Sequence, residues 1–163
     1  MIEIAARTPD HGKLFPWRFV IVPKTARAAL GEKLVAILRS EKADCTARDE
    51  EAAIQFATQA PALVVVLSAP VVPHKIPAWE QELSAGAACM NLLHAAHALG
   101  FAGGWLTGWA AYSDAVRDLF GEAPQKVAGF VFIGTPAAPL EERPRPSLSE
   151  IAHKWNPGYG PAA

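Results

Sequence analysis

The sequence predicts one folded domain of α/β or α+β class, on three observations. Hydrophobic residues make up 51% of the 163 residues and charged residues only 19%, the reverse of a disordered composition. Three runs rich in β-branched and aromatic residues, at 17–22, 62–67 and 127–133, read as strands. The stretches between them carry helical periodicity and are too long for hairpin connections.

The chain opens on residues 2–7, which read like the last turns of a helix before Pro9 and Gly12 break it. After the first strand, Thr25 is the expected N-cap of a helix to about residue 40, with Leu30, Leu34, Ile37 and Leu38 at helical spacing. Thr46 and Asp49 form a capping signal for a second helix to about residue 59. The run 62–67 is continuously apolar, as in a strand buried on both faces. A Pro-rich bend at 70–77 leads into a helix over 79–99, closed by Gly100. Past its first turn this helix is almost free of charge, so burial on all sides is expected. Its small-residue centre, 84–88, would let another backbone or a flat ligand approach. Residues 103–108 (GGWLTG) read as a tight Gly-punctuated segment, and Ser113 as the cap of a short helix over 114–120. Ser147 and Glu150 cap a last short helix.

Composition excludes several functions. The 15 Lys+Arg against 16 Asp+Glu give a net charge of −1, which offers nucleic acid or an anionic membrane surface no electrostatic attraction. No apolar run reaches spanning length without a Pro or a charge. Two cysteines make no disulfide scaffold, and with no signal-peptide pattern the expected location is the cytoplasm. There is no G-x-S-x-G elbow and no Walker or G-x-G-x-x-G pattern. His94 and His97 lack a third ligand, so no metal is expected, and Cys89 reads as a core thiol.

What remains is a combination. The loop around Arg7, His11 and Lys13 gathers cations beside a strand start. Residues 103–108 offer backbone amides and the Thr107 hydroxyl. Arg143 and Arg145 present two guanidiniums near a turn. Such a set suits a phosphate joined to a flat, hydrogen-bonding ring. Taken singly, each position is read first as ordinary structure, Trp17 as a core strand aromatic and Arg143 and Arg145 as solvated charge.

The segments RTPDHGKLFPWRF (7–19), KIPAWEQELSAG (75–86), ALGFAGGWLTG (98–108) and GFVFIGTP (129–136) resemble, in order, those of the nitroreductase family of FMN-dependent NAD(P)H oxidoreductases, and look most like its minimal branch. The resemblance implies an α+β fold with a central mixed β-sheet flanked by helices, spanning 1–163 as a single domain. It implies a homodimer with FMN at the subunit interface and NADH or NADPH as co-substrate. Hydride would pass through flavin N5 to a nitroaromatic, quinone or similar small acceptor. Carried over by position, Arg7 resembles the residue at the flavin ring edge or ribityl chain, and His11 the partner subunit's contribution, with Lys13 in the same loop. Trp105, Leu106 and Thr107 resemble the segment facing the isoalloxazine, and Arg143 and Arg145 the basic pair at the phosphate. Residues 95–100 align with a segment assigned to the nicotinamide nucleotide in relatives. The family usually begins with a helix bearing an Arg-Arg-Ser motif on the phosphate. This chain starts after it and so reads as N-terminally truncated. A flavin-binding or non-catalytic dimer with weakened FMN binding is the alternative.

Overall fold

The computed structural model describes residues 1–156. Helix α1 (Ile2–Ala5) and a 3-10 turn at His11–Lys13 precede strand β1 (Trp17–Val22). Helices α2 (Arg27–Glu41) and α3 (Ala47–Thr58) lead to β2 (Ala62–Ser68), and the long α4 (Ala78–Ala98) leads to β3 (Ala102–Leu106). Two short helices, α5 (Trp109–Tyr112) and α6 (Asp114–Arg117), precede β4 (Lys126–Gly134), and α7 (Leu148–Ile151) follows in the tail.

The sheet has the order β1-β2-β4-β3, and all three pairings are antiparallel. The class is α+β as expected, but the described residues contain no parallel pair, in contrast to a mixed sheet. Connectivity explains this. Two helices between β1 and β2 return the chain to the end it left, so those neighbours run opposite. One helix between β2 and β3 makes these two run the same way, yet β4 is inserted between them.

Along β2 the side chains alternate between two cores, as the pleat requires. Leu63, Val65 and Leu67 join Leu34, Ala57 and Phe130 under α2 and α3. Val64 and Val66 join Cys89, Leu92, Val131 and Ala5 under α4 and α1. Strand 62–67 is therefore buried on both faces, as its composition predicts.

Several expectations are corrected. Thr25 lies inside a 3-10 turn (Lys24–Ala26), and α2 starts from Ala26 with no side-chain cap. The 103–108 segment is mostly strand: β3 pairs with β4 from Ala102 to Leu106. Its glycines hid it, because they lower strand propensity. Gly103 is small because a Cβ there would stand 2.7 Å from Leu93 Cδ2 on α4. Helix α5 has no counterpart in the sequence reading, and α4 is not buried all round. Its sheet-facing side is sealed, but Trp79, Leu83 and Met90, spaced along one opposite stripe, are exposed. Within one chain this helix is covered by the sheet and by α1 with the loop after it, and that stripe stays bare. The capping boxes at Thr46/Asp49 and Ser147/Glu150 form as read, and Gly100 closes α4 at φ +81°.

Candidate functional site

Three connections converge at one end of the sheet. Residues 8–16 enter β1 at Trp17, residues 69–77 leave β2 after Ser68, and residues 107–108 leave β3 after Leu106. The register places Trp17 beside Ser68 and Ser68 beside Lys126 at this same end.

The first connection is pinned onto α4. Asn91 Nδ2 donates to Thr8 Oγ1 (2.7 Å), Ser84 Oγ donates to the Pro9 carbonyl (2.9 Å), and His11 Nδ1 donates to Glu80 Oε2 (2.7 Å). Trp17 Nε1 donates in turn to Ser84 Oγ (3.2 Å). Gln81, buried, accepts from the Val71 N–H and donates to the Val71 and Ile76 carbonyls, which fixes the 70–77 bend on the same helix. Sequence reading missed Glu80, Gln81, Ser84 and Asn91. The signal was a short polar stripe on an otherwise apolar helix, at i, i+4 for Glu80 and Ser84 and one heptad on for Asn91.

The loop is also strained. Gly12, Lys13 and Phe15 have φ of +77°, +57° and +49°. A non-glycine residue there costs about 1–3 kcal/mol, and such strain concentrates at ligand sites. The Phe15 N–H donates to Asp10 Oδ2 (2.9 Å), which holds the turn. Arg7, His11 and Lys13 point this loop's polar groups into solvent, all three being exposed.

Segment 105–107 does not present one face. Successive strand residues alternate, so the Trp105 side chain lies on the α4 side of the sheet. Its ring covers Gly129 and reaches toward Gly86, with Nε1 donating to the Ala128 carbonyl (3.0 Å). The small residue Gly86 thus makes room for an indole. Leu106 lies on the opposite face, in a shallow cleft with Gly104, Phe132 and Gly134. Thr107 and Gly108 line an apolar cleft of about 290 Å³ with Leu38, Phe56 and Trp109.

The predicted residues therefore fall into three groups. Arg7 follows α1, which packs on α4, while His11 and Lys13 lie in the connection that enters β1, at one edge of the sheet. Trp105, Leu106 and Thr107 sit at β3, the other edge, three strand spacings or about 14 Å away. Arg143 and Arg145 lie in the tail, where residues 135–156 are exposed throughout, and Arg145 pairs with Glu142 (3.1 Å). His94 and His97 are exposed on α4, and among the described residues no group of three or more His, Cys, Asp or Glu could hold a metal ion. Cys89 is wholly buried, and burial pushes its thiol up to about 12, so it carries no nucleophilic thiolate at neutral pH. No helix among the described residues is long and apolar enough to cross a membrane.

One glycine is left without an internal reason: Gly108 is required by its φ of +75°, whereas Gly104 has no positive φ. A Cβ on Gly104 or Gly108 would meet no atom within 4 Å. Open space beside backbone at this turn is a cradle for something outside the chain. Backbone amides and a hydroxyl are donors that suit a flat heteroaromatic ring.

An α+β fold with such a cradle matches a known class. The nitroreductase family model matches residues 1–135, and the chain belongs to that family. It is 36% identical over 141 residues to YdjA of Escherichia coli strain K12, a protein named provisionally as an NAD(P)H nitroreductase; the match covers 83% of this chain and 74% of that protein. Its fold is similar to that of a nitroreductase-like family protein from Bacillus cereus, with a TM-score of 0.78 at 20% identity over 94% of this chain and 80% of the other. A nitroreductase from Desulfovibrio desulfuricans solved with FMN gives a TM-score of 0.69 at 20% identity, over 95% and 81% of the two chains.

Proposed function

We propose that the chain is an FMN-dependent oxidoreductase, acting as one domain and as a homodimer. It would move reducing equivalents from NADH or NADPH to a small acceptor such as a nitroaromatic or a quinone. The observation that carries this reading is the open backbone at Gly104 and Gly108, beside Thr107, in a family whose solved members include an FMN complex.

The 106–108 amides and the Thr107 hydroxyl would hydrogen-bond the ring heteroatoms, while Arg7, Lys13, Arg143 and Arg145 would neutralise the phosphate. Two-electron chemistry is supplied by the flavin when bound. The protein holds the ring, shields one side of it from water and leaves the other open to the co-substrate and acceptor in turn.

The separation across the sheet supports a second subunit. One chain's His11 loop does not reach its own Thr107 turn, so the loop facing that turn would come from the partner. The bare stripe of Trp79, Leu83 and Met90 on α4 and the exposed tail residues Leu140, Leu148, Ile151 and Trp155 provide apolar surface for such an interface.

Purified protein is titrated with FMN and then mixed anaerobically with NADH or NADPH. A yellow complex that bleaches supports the reading. Protein that takes up no FMN refutes it, and a bound flavin that neither nucleotide bleaches restricts the protein to flavin binding.

A further inference from the structure

We propose that Trp105, Trp109 and Glu41 form a clamp that holds the 106–108 turn from both faces of the sheet. The three are positioning residues, and their working groups are hydrogen bonds rather than ring faces. This rests on the flavin reading above, which puts the turn's backbone against the ring.

The turn needs such a device. β3 is an edge strand of five residues with two glycines, and it pairs with β4 alone. The ladder ends where Leu106 meets Phe130, and the backbone beyond it leaves the sheet. Gly108, at φ +75° and ψ −164°, adopts a conformation open essentially to glycine alone. Nothing in this local sequence stiffens the backbone that would have to present fixed donors.

Tertiary contacts supply the stiffness. Before the turn, the Trp105 indole is seated over Gly129 and tied to the Ala128 carbonyl. After the turn, Trp109 Nε1 donates to Glu41 Oε2 (2.7 Å), and Ser113 Oγ donates to Glu41 Oε1 (2.6 Å). Both oxygens of one carboxylate are thus spent on the segment that follows Gly108. The placement of Glu41 breaks a local rule, because it is the last residue of α2, where the helix dipole disfavours a negative charge. The two hydrogen bonds offset that penalty. The anchors act from opposite sides: Trp105 with α4, Trp109 beside Leu38 and Asp49 of α2 and α3.

The test uses the full chain and the variants Glu41→Ala, Glu41→Gln, Trp109→Phe and Trp105→Phe. Amide hydrogen exchange at Ala111, whose N–H donates to the Gly108 carbonyl, is read first, without FMN. Loss of one clamping hydrogen bond should speed exchange about fivefold. Glu41→Ala combined with Trp109→Phe should exceed Glu41→Ala by little, because Glu41→Ala already removes the Trp109 bond along with that of Ser113. Glu41→Gln keeps a carbonyl acceptor and should recover most of the protection. FMN dissociation constants should rise about fivefold in the same variants, and the potential of bound flavin should shift. Exchange that stays at the wild-type rate in both Glu41→Ala and Trp105→Phe overturns the clamp. Faster exchange with wild-type FMN affinity and potential overturns its positioning role. A wild-type chain that takes up no FMN refutes the flavin reading and the positioning role with it, while exchange still decides whether the turn is clamped.

Discussion

Gly129→Ala offers a sharp test of how the β3 edge is built. A Cβ at residue 129 would overlap Nε1 and Cδ1 of the Trp105 indole and stand 3.1 Å from its Cε2. The neighbour is a ring between two elements, so the indole has to leave. Trp105 is 39% exposed, which leaves roughly 150 Å² of a large aromatic covered. At about 25 cal/mol per Å² that burial is worth at most ~4 kcal/mol, and the bond to Ala128 adds about 1. The expelled ring will still cover some apolar surface elsewhere, so the expected loss is about 2–4 kcal/mol. Urea denaturation of Gly129→Ala and of the double variant with Trp105→Ala measures it. Once the indole is gone the added methyl meets no ring, so in the Trp105→Ala background its cost should fall below about 0.5 kcal/mol. A single variant within that margin of wild type, or a penalty that persists without the indole, would refute the packing argument.

Four further outcomes follow from the same structure. In native protein near pH 7 a maleimide should label Cys45, which is half-buried, and spare Cys89, whose thiol burial pushes up to about 12; mass spectrometry that finds Cys89 modified before unfolding contradicts this. Hydrogen bonds from Lys42 and Thr46 hold the Asp49 carboxyl well below its ordinary value of 3.8. Its folded-state value is depressed, so its contribution to stability is present above pH 3.8 and is lost as pH falls through that value and below, and Asp49→Asn should flatten this part of the acid denaturation curve. Thr46→Ala removes the other half of the capping box and should cost about 1 kcal/mol by thermal or urea unfolding. Leu83→Glu together with Met90→Glu should convert the proposed dimer to monomer by sedimentation velocity, and a dimer that persists would place the interface elsewhere.

Much of the fold was legible because it is local. The runs at 17–22, 62–67 and 127–133 announce strands through β-branched and aromatic content. Thr46 with Asp49, Ser147 with Glu150, and Gly100 mark helix ends through hydrogen bonds that span three or four residues. The elements that escaped notice are those whose local chemistry is ambiguous. β3 carries two glycines and is a strand only because β4 offers it a ladder, and α2 begins without the cap that Thr25 seemed to offer. Of the site, the sequence marked Arg7, His11, Lys13 and the 105–107 segment by residue type and by resemblance. It did not mark Glu80, Gln81, Ser84 or Asn91, whose partners lie 5 to 83 residues away in the chain.

Residue chemistry therefore narrowed the class of domain to α/β or α+β, which the resemblance resolved to α+β, and marked most of its elements and the kind of ligand its donors suit. Tertiary structure decided what those donors can reach. It set the His11 loop and the Thr107 turn on opposite edges of one sheet, turned Trp105 and Leu106 to opposite faces, and left one stripe of α4 bare. The physical reason is that these are relations between distant segments, set by strand order and pleat, and no local periodicity encodes which edge a strand will occupy.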